Sequence, residues 1–592
     1  MKIENLKLKI EKSSGFTLIE TIVALGIFAI IAVGVYSSYL NVLDITIASQ
    51  LNSTALAVMG NELESIRNVD FQDVGTVGGA PAGILPAEKN INFSGYDFVL
   101  KTTVRNIDDP FDGVLGGSPN DSAPADYKLV ELTLDCLNCT RFIPITTTTY
   151  VAPANLESTT KNGSLFINVI DASGHPVTQA NVLVINNLVN PAISINDTTN
   201  NAGQLQLVDI ATSSLGYQIT VAKPGYSSEK TYKIGDSQNP NPIKPHSTVV
   251  SQQITLVTFG IDKLSSQNLV TRNKFCQAVS DIDFSQQGTK LIGVDPDVLK
   301  YSVISSTDSG GVKISDLEWD IYTIQNIDPA YDLAGTTPLS PITVNPGSNY
   351  AINWLIEPRN QSSFLAIVQA DGGQFIDDAV VILSKTGFSE TKVSGHNYFD
   401  QTDWSGGEFF QKSQNVDENN PLGDLTLAQI GGKYATNSLE WLESKTYDMG
   451  EVANFYMLRW NPQGQPLQTG TDSLKFQIAT NNDNSTWNYL GPDGSPATYY
   501  TNTDSAIYTG HNGSRYLRYK VFLITEDPSF TPRLEDVEME FSSLCIPDGQ
   551  SFFSGFEAGI YTLTVHRNGY QDYTAQINIG SGWQEHRIVL TP

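Results

Sequence analysis

From Phe16 to Tyr36 the chain runs 21 residues with a single charge, Glu20. At 1.5 Å per residue such a run, built as a helix, covers the roughly 30 Å hydrocarbon thickness of a bilayer. Nothing else in the sequence constrains the fold as tightly. One end of the molecule has to lie in lipid or against another apolar helix. Lys2, Lys7, Lys9 and Lys12 precede the run, and the first basic residue after it is Arg67. The positive-inside bias then places the leader in the cytoplasm and everything beyond Leu40 outside it, a single pass through the cell membrane.

A secretory signal carries its cleavage site after the apolar region, beside small residues. Here Ser13, Ser14 and Gly15 come before it, which points to cleavage at the front of the helix and retention of the apolar segment. Glu20 sharpens this reading, since a carboxylate in a membrane helix costs about 2.5–3.5 kcal/mol at the bilayer centre and is functional by default. Five residues into a new N-terminus, it is placed to pair with the freed α-amine of a neighbouring subunit.

Residues 15–20, GFTLIE, resemble the type IV prepilin signal shared by pilins, minor pilins and type II secretion pseudopilins. The resemblance implies cleavage between Gly15 and Phe16 by prepilin peptidase, N-methylation of Phe16, and a self-assembly role for Glu20. It also implies other pilin or pseudopilin subunits as partners, with membrane lipid as the partner before assembly. It extends over about the first 70 residues.

Apolar residues at mixed three and four spacing from Val42 to Ile66 predict a continued amphipathic helix, and 16–67 as one helix would be roughly 78 Å long. Alternating strands at 96–104 and 127–134 can cover its outer half, giving a pilin-like α+β region at 41–150. Residues 146–163 read as a polar connector. The divisions are a leader at 1–15, a transmembrane helix at 16–40 and this head at 41–150.

Beyond the head the sequence repeats a strand, a turn, an alanine and a second strand. FINVI leads to Ala180 and VLV; FLAIV leads to Ala379 and VVIL. Lys223-Pro224-Gly225-Tyr226 has its counterpart in Asn568-Gly569-Tyr570. The pattern is similar to the carboxypeptidase-regulatory-like domain, a sandwich of transthyretin/immunoglobulin type, which implies such sandwiches at 163–261 and, split, at 363–406 plus 545–592, with a divergent third at 262–360. The stretch 407–544, rich in aromatics and long strands, reads as an inserted jelly-roll-like sandwich. The expected fold is one long N-terminal helix with a small α+β head, then a mainly-β multidomain region.

Candidate sites are few. The histidines, His175, His246, His396, His511, His566 and His586, show no zinc-ligand spacing, no G-x-S-x-G elbow frames a nucleophile, and no cofactor is expected. The reading is a non-enzyme. Cys136 and Cys139, outside the membrane, are a candidate local disulfide, while Cys276 and Cys545 bridge only if their domains pack together. Asp- and Asn-rich turns at 481–485 and 491–494 are turn chemistry or calcium ligands. Trp441, Trp460, Trp487, Tyr489, Tyr499, Tyr500, Tyr516 and Tyr519 are core or the floor of a sugar site. With 35 basic against 63 acidic residues, a net charge of −28, the bulk of the chain repels nucleic acid. The expected function is a non-enzymatic minor pilin or pseudopilin displaying its sandwiches outside the cell for adhesion, with a surface glycan or protein as candidate ligand. The alternative is a membrane-anchored glycan-binding protein that does not polymerise.

Overall fold

The computed structural model describes residues 17–139, 142–153 and 161–592. The expected cleavage pair Gly15 and Phe16 lies outside the described residues. Two compact units divide the chain, one extending to Pro224 with Ser228–Ile261 and Gly293–Pro296, the other comprising Gly225–Ser227, Asp262–Ile292 and Asp297–Pro592.

In the first unit one helix runs Leu18–Arg67 without interruption. No proline interrupts it, and Thr17 caps its start. Its outer part buries Leu51, Ala55, Val58, Met59 and Ile66, spaced so that they share one face. That face packs on a four-stranded antiparallel sheet in sequence order, Glu88–Phe93, Tyr96–Ile107, Tyr127–Cys136 and Ile145–Val151. Phe98, Leu100, Val104, Val130, Leu132 and Leu134 complete the core. Ser94 (φ 51°) and Gly95 (φ 84°) join the first two strands, both in the left-handed region that a two-residue hairpin of this hand requires. The two expected strands are present and slightly longer than expected. Ile145–Val151 corrects the reading of a connector there. Its threonines are β-branched edge-strand residues, whose polarity mimics a linker.

Three sandwiches then share one topology. In each, the first strand runs parallel to the last and antiparallel to a middle strand: Gly163–Ile170 between Ile254–Gly260 and Gln204–Ile210, Ser265–Arg272 between Asn349–Pro358 and Val312–Leu317, and Ser362–Ala370 between Gly582–Leu590 and Gln550–Ser554. Each also buries one tyrosine whose hydroxyl donates to a backbone oxygen shortly upstream: Tyr217 to Ala211 (2.5 Å), Tyr322 to Glu318 (2.9 Å) and Tyr561 to Glu557 (2.5 Å). This is the corner that pins a sandwich where the chain crosses between sheets. Burial pushes the Tyr217 hydroxyl up to about 12 and the Tyr322 hydroxyl higher still. In the first unit the head meets its sandwich through Arg105, whose Nε and Nη2 bond both carboxylate oxygens of Asp197 (2.6 and 2.5 Å).

The third of these sandwiches is interrupted. Its front half ends with Phe388–Val393, and Asn397–Gln401 already pairs with Asp536–Ser543 of the inserted domain. Strand pairing therefore puts the break between 393 and 397, where the sequence pattern suggested 406. The inserted domain is a sandwich whose long strand Tyr447–Asn461 serves both sheets, beginning beside Ser514–Leu523 and ending beside Asp536–Ser543. Its second sheet continues through Leu474–Asn481, Ser514–Leu523, Glu440–Ser444 and Phe409–Lys412. Trp404, Tyr447, Trp460, Phe476 and Tyr519 fill its core. Gln401 Oε1 accepts from both Tyr447 and Tyr519 (2.7 and 2.6 Å), and Trp404 Nε1 donates to Tyr519 (2.9 Å), so the buried polar atoms are satisfied.

Candidate functional site

The start of the helix is built by Thr17 and Glu20. The Thr17 N–H and hydroxyl both donate to Glu20 Oε2 (3.0 and 2.9 Å), and the Glu20 N–H donates back to Thr17 Oγ1 (3.3 Å). This is a reciprocal capping box, which satisfies two of the N–H groups that a helix leaves bare at its N-terminus. The sequence reading had assigned Glu20 to a neighbour's amine only. The signal for the local partner was present in the T-x-x-E spacing. Around this polar start the helix is apolar and uncovered: Leu18 is 82% exposed, with Ile19, Phe28, Ile30 and Ile31 also open. No residue of its most apolar 18-residue window is buried within the chain. In water such a surface would be heavily penalised, so its partner is lipid or another helix.

The same helix passes from this bare segment into the head. Beside the helix's end Lys128 is buried, its Nζ donating to the carbonyls of Phe71 (2.6 Å) and Val74 (2.7 Å). Burial lowers its pKa. At the far end of the sheet Cys136 and Cys139 form a disulfide, their Cα atoms 5.6 Å apart. Cys276 and Cys545 form another, within the second unit.

The histidines serve locally. His396 lies between Glu540 (2.7 Å) and Asp378 (3.0 Å), and His511 bonds Thr480. Among the described residues no three His, Cys, Asp or Glu side chains gather as a metal site. The turn carboxylates are already occupied. Asp483 accepts from the N–H groups of Ser485 and Thr486, which hold its carboxyl well below the usual range, and Asp493 accepts from Ser495 and Thr498. The aromatic group divides between two faces of one sheet. Trp460, Tyr500 and Tyr519 are core, whereas Trp441, Trp487, Tyr489 and Tyr499 lie on the other face with Arg518, Lys520 and Lys475.

Residues 11–36 match the family model described as the prokaryotic N-terminal methylation motif. The chain thus has a prepilin-type N-terminus and, among the described residues, a single long apolar helix and a large all-β body of sandwiches. The match covers that terminus alone. Among solved structures, the chain is similar to the TIE protein of Bacillus anthracis (9% identity over 86% of this chain and 73% of that one, TM-score 0.16). Also similar are the shaft pilin SpaA of Lactobacillus rhamnosus GG (12% identity, 33% and 98%, TM-score 0.14) and a minor pilin of Streptococcus agalactiae (12% identity, 33% and 96%, TM-score 0.17). Overlaps this loose carry nothing about function. No curated protein matches the chain.

Proposed function

We propose that this chain is a non-enzymatic minor pilin or pseudopilin. Prepilin peptidase removes the leader between Gly15 and Phe16 and the α-amine of Phe16 is methylated. The helix first spans the bacterial membrane with the leader cytoplasmic, then exchanges lipid for the helices of other subunits. At 592 residues the subunit is too bulky for the repeating shaft, so it enters at the tip or occasionally, and displays its sandwiches outside the cell for adhesion.

The observation that carries the reading is Glu20, a single carboxylate at the capped start of an otherwise bare apolar helix. One Oε2 takes both Thr17 donors, so the carboxylate retains acceptor capacity for a neighbour's amine. Register between subunits follows, because only the matched depth pairs the buried charge. Replacing Glu20 by Ala is the test. The chain should still insert in the membrane but be absent from purified filaments. Unchanged incorporation of Glu20→Ala, or mature protein whose mass spectrum still begins at Met1, would overturn the reading. The outward sheet face of the inserted sandwich favours a second reading, a membrane-anchored glycan-binding protein that does not polymerise. There Glu20→Ala leaves surface binding intact and no filament carries the chain.

A further inference from the structure

Alternation along Ser514–Leu523 sorts its side chains. Leu517, Tyr519, Val521 and Leu523 enter the core, so Arg518, Lys520 and Phe522 point to the opposite face, where Arg518 and Phe522 are buried under neighbouring side chains and Lys520 is partly open. Register then sets their neighbours. Lys475, Phe522 and Trp441 lie in one row across three strands, and Gln477, Lys520, Glu443 and Gln411 lie in the next across four. The segment following Leu474–Asn481 returns along the outer edge of that strand, bridged at Phe476–Tyr500 and Ile478–Leu490, and brings Trp487, Tyr489 and Tyr499 to the cations of this face.

Every cation here sits on a ring. Arg518 Cζ is 3.8 Å from the Phe410 centroid and 4.2 Å from that of Trp487; Lys520 Nζ is 3.8 Å from Trp441; Lys475 Nζ is 4.3 Å from Tyr499. Among the described residues Glu443 is the carboxylate that bonds one of these three cations, while Asp448, further along the same face, is neutralised by Arg515. Glu443 accepts from Lys520 (3.0 Å) and Gln411 (2.9 Å). Arg518 spends only Nε, on Thr446 Oγ1 (2.8 Å), so its terminal nitrogens have no acceptor among the described residues. The Tyr489 hydroxyl is buried against Glu443 and Arg518, close to both but without regular hydrogen-bond geometry to either. Phe410 is 56% exposed and Trp441 and Trp487 are half-buried, so ring surface remains for a ligand.

We propose that this face binds an acidic polysaccharide. Pyranose C–H faces stack on the rings of Phe410, Trp441 and Trp487, and sugar hydroxyls meet the row of amide and phenol groups. Sugar carboxylates are drawn by Lys475 and Lys520, with the buried Arg518 adding its charge to the field from below. Three cations against one carboxylate, in a chain of net charge −28, make this a local positive field on an acidic molecule, which selects an anionic chain over a neutral one. The proposal deepens the display reading and depends on it only for where the ligand is met.

The test uses the full chain in detergent, titrated with polygalacturonate, alginate and hyaluronate, with methyl-esterified polygalacturonate as an uncharged control of the same backbone. At least one acidic polymer should bind, weakening as salt rises, and the esterified one should bind about tenfold less well or not at all. Trp441→Ala and Trp487→Ala should each lose about tenfold, as aromatic anchors do. Lys475→Gln, which leaves the core untouched, should weaken acidic binding several-fold with the unfolding transition unchanged. Absence of binding to all three acidic polymers, equal binding of the esterified control, or unaltered binding in Lys475→Gln overturns the proposal. Filament incorporation of Lys475→Gln, scored in parallel, separates this failure from failure of the pilin reading.

Discussion

At the scale of single residues, His511 shows how burial becomes a pH response. It is 2% exposed, Nδ1 bonds Thr480 Oγ1 (2.9 Å), and Nε2 has no partner among the described residues. Burial with nothing to stabilise the cation lowers its pKa from 6.5 to about 4. The unfolded chain takes up this proton near pH 6.5 and the folded chain does not until about pH 4, so stability is complete above 6.5 and is lost as pH falls through that window. At about 1.4 kcal/mol per unit the loss is on the order of 2–3 kcal/mol by pH 4. His511→Phe should flatten the pH dependence of unfolding between 6.5 and 4.5, measured by calorimetry on the full chain. His246 is shifted the same way by burial, so the difference between variant and parent is the readout rather than the raw slope. Identical slopes would mean that His511 takes up its proton over the same pH range folded as unfolded, and that burial does not shift it. Glu540 acts only at lower pH. Burial opposes its ionisation, but His396 and Arg459 together hold its pKa below the ordinary value, so its contribution is lost only as pH drops beneath the usual carboxylate range.

At the scale of elements, the three corner tyrosines make the repeat physical. Each hydroxyl holds a carbonyl four to six residues upstream while its ring fills the sandwich. Tyr217→Phe, Tyr322→Phe and Tyr561→Phe keep the ring and delete the bond, so each should cost about 1 kcal/mol. The three losses should add, as they do for separate sites. A triple variant no less stable than one single variant, by thermal unfolding, would show that the corners are not independent. The repeats were legible in the sequence because their signal is local: alternation, a glycine turn, an alanine. What escaped was non-local. Tyr398–Gln401 alternates like any sandwich strand, and only its pairing with residues 537–540 assigns it to the inserted domain. The Thr-rich edge Ile145–Val151 has too little apolar content to stand out. The outward face of Ser514–Leu523 was half legible: the aromatics were visible as a group, but dividing them into core and surface needed the strand register. The Glu20 capping box was fully legible in its spacing, and the carboxylate's cost in lipid drew the reading past it.

At the scale of the whole molecule, the two disulfides differ mainly in the length of chain they close. Cys136 and Cys139 are 3 residues apart, whereas Cys276 and Cys545 are 269 apart. The second ties the turn after the first strand of one sandwich to the segment where the chain leaves the inserted domain, both within the second unit. In the chain-entropy account, closing the short loop restricts the unfolded state by about 2 kcal/mol and closing the long one by about 5–6 kcal/mol. In that account the difference belongs to the unfolded chain. Replacing Cys276 and Cys545 together by Ser should therefore lower the unfolding transition of the second unit, and lower it more than the paired Cys136→Ser and Cys139→Ser change lowers that of the first. Reductant should reproduce both shifts in the parent chain and, in each variant, only the shift of the bridge that it retains. A larger loss from the short bridge would mean that it acts on the folded head rather than on the unfolded chain, and the entropic account of the long one would fall with it.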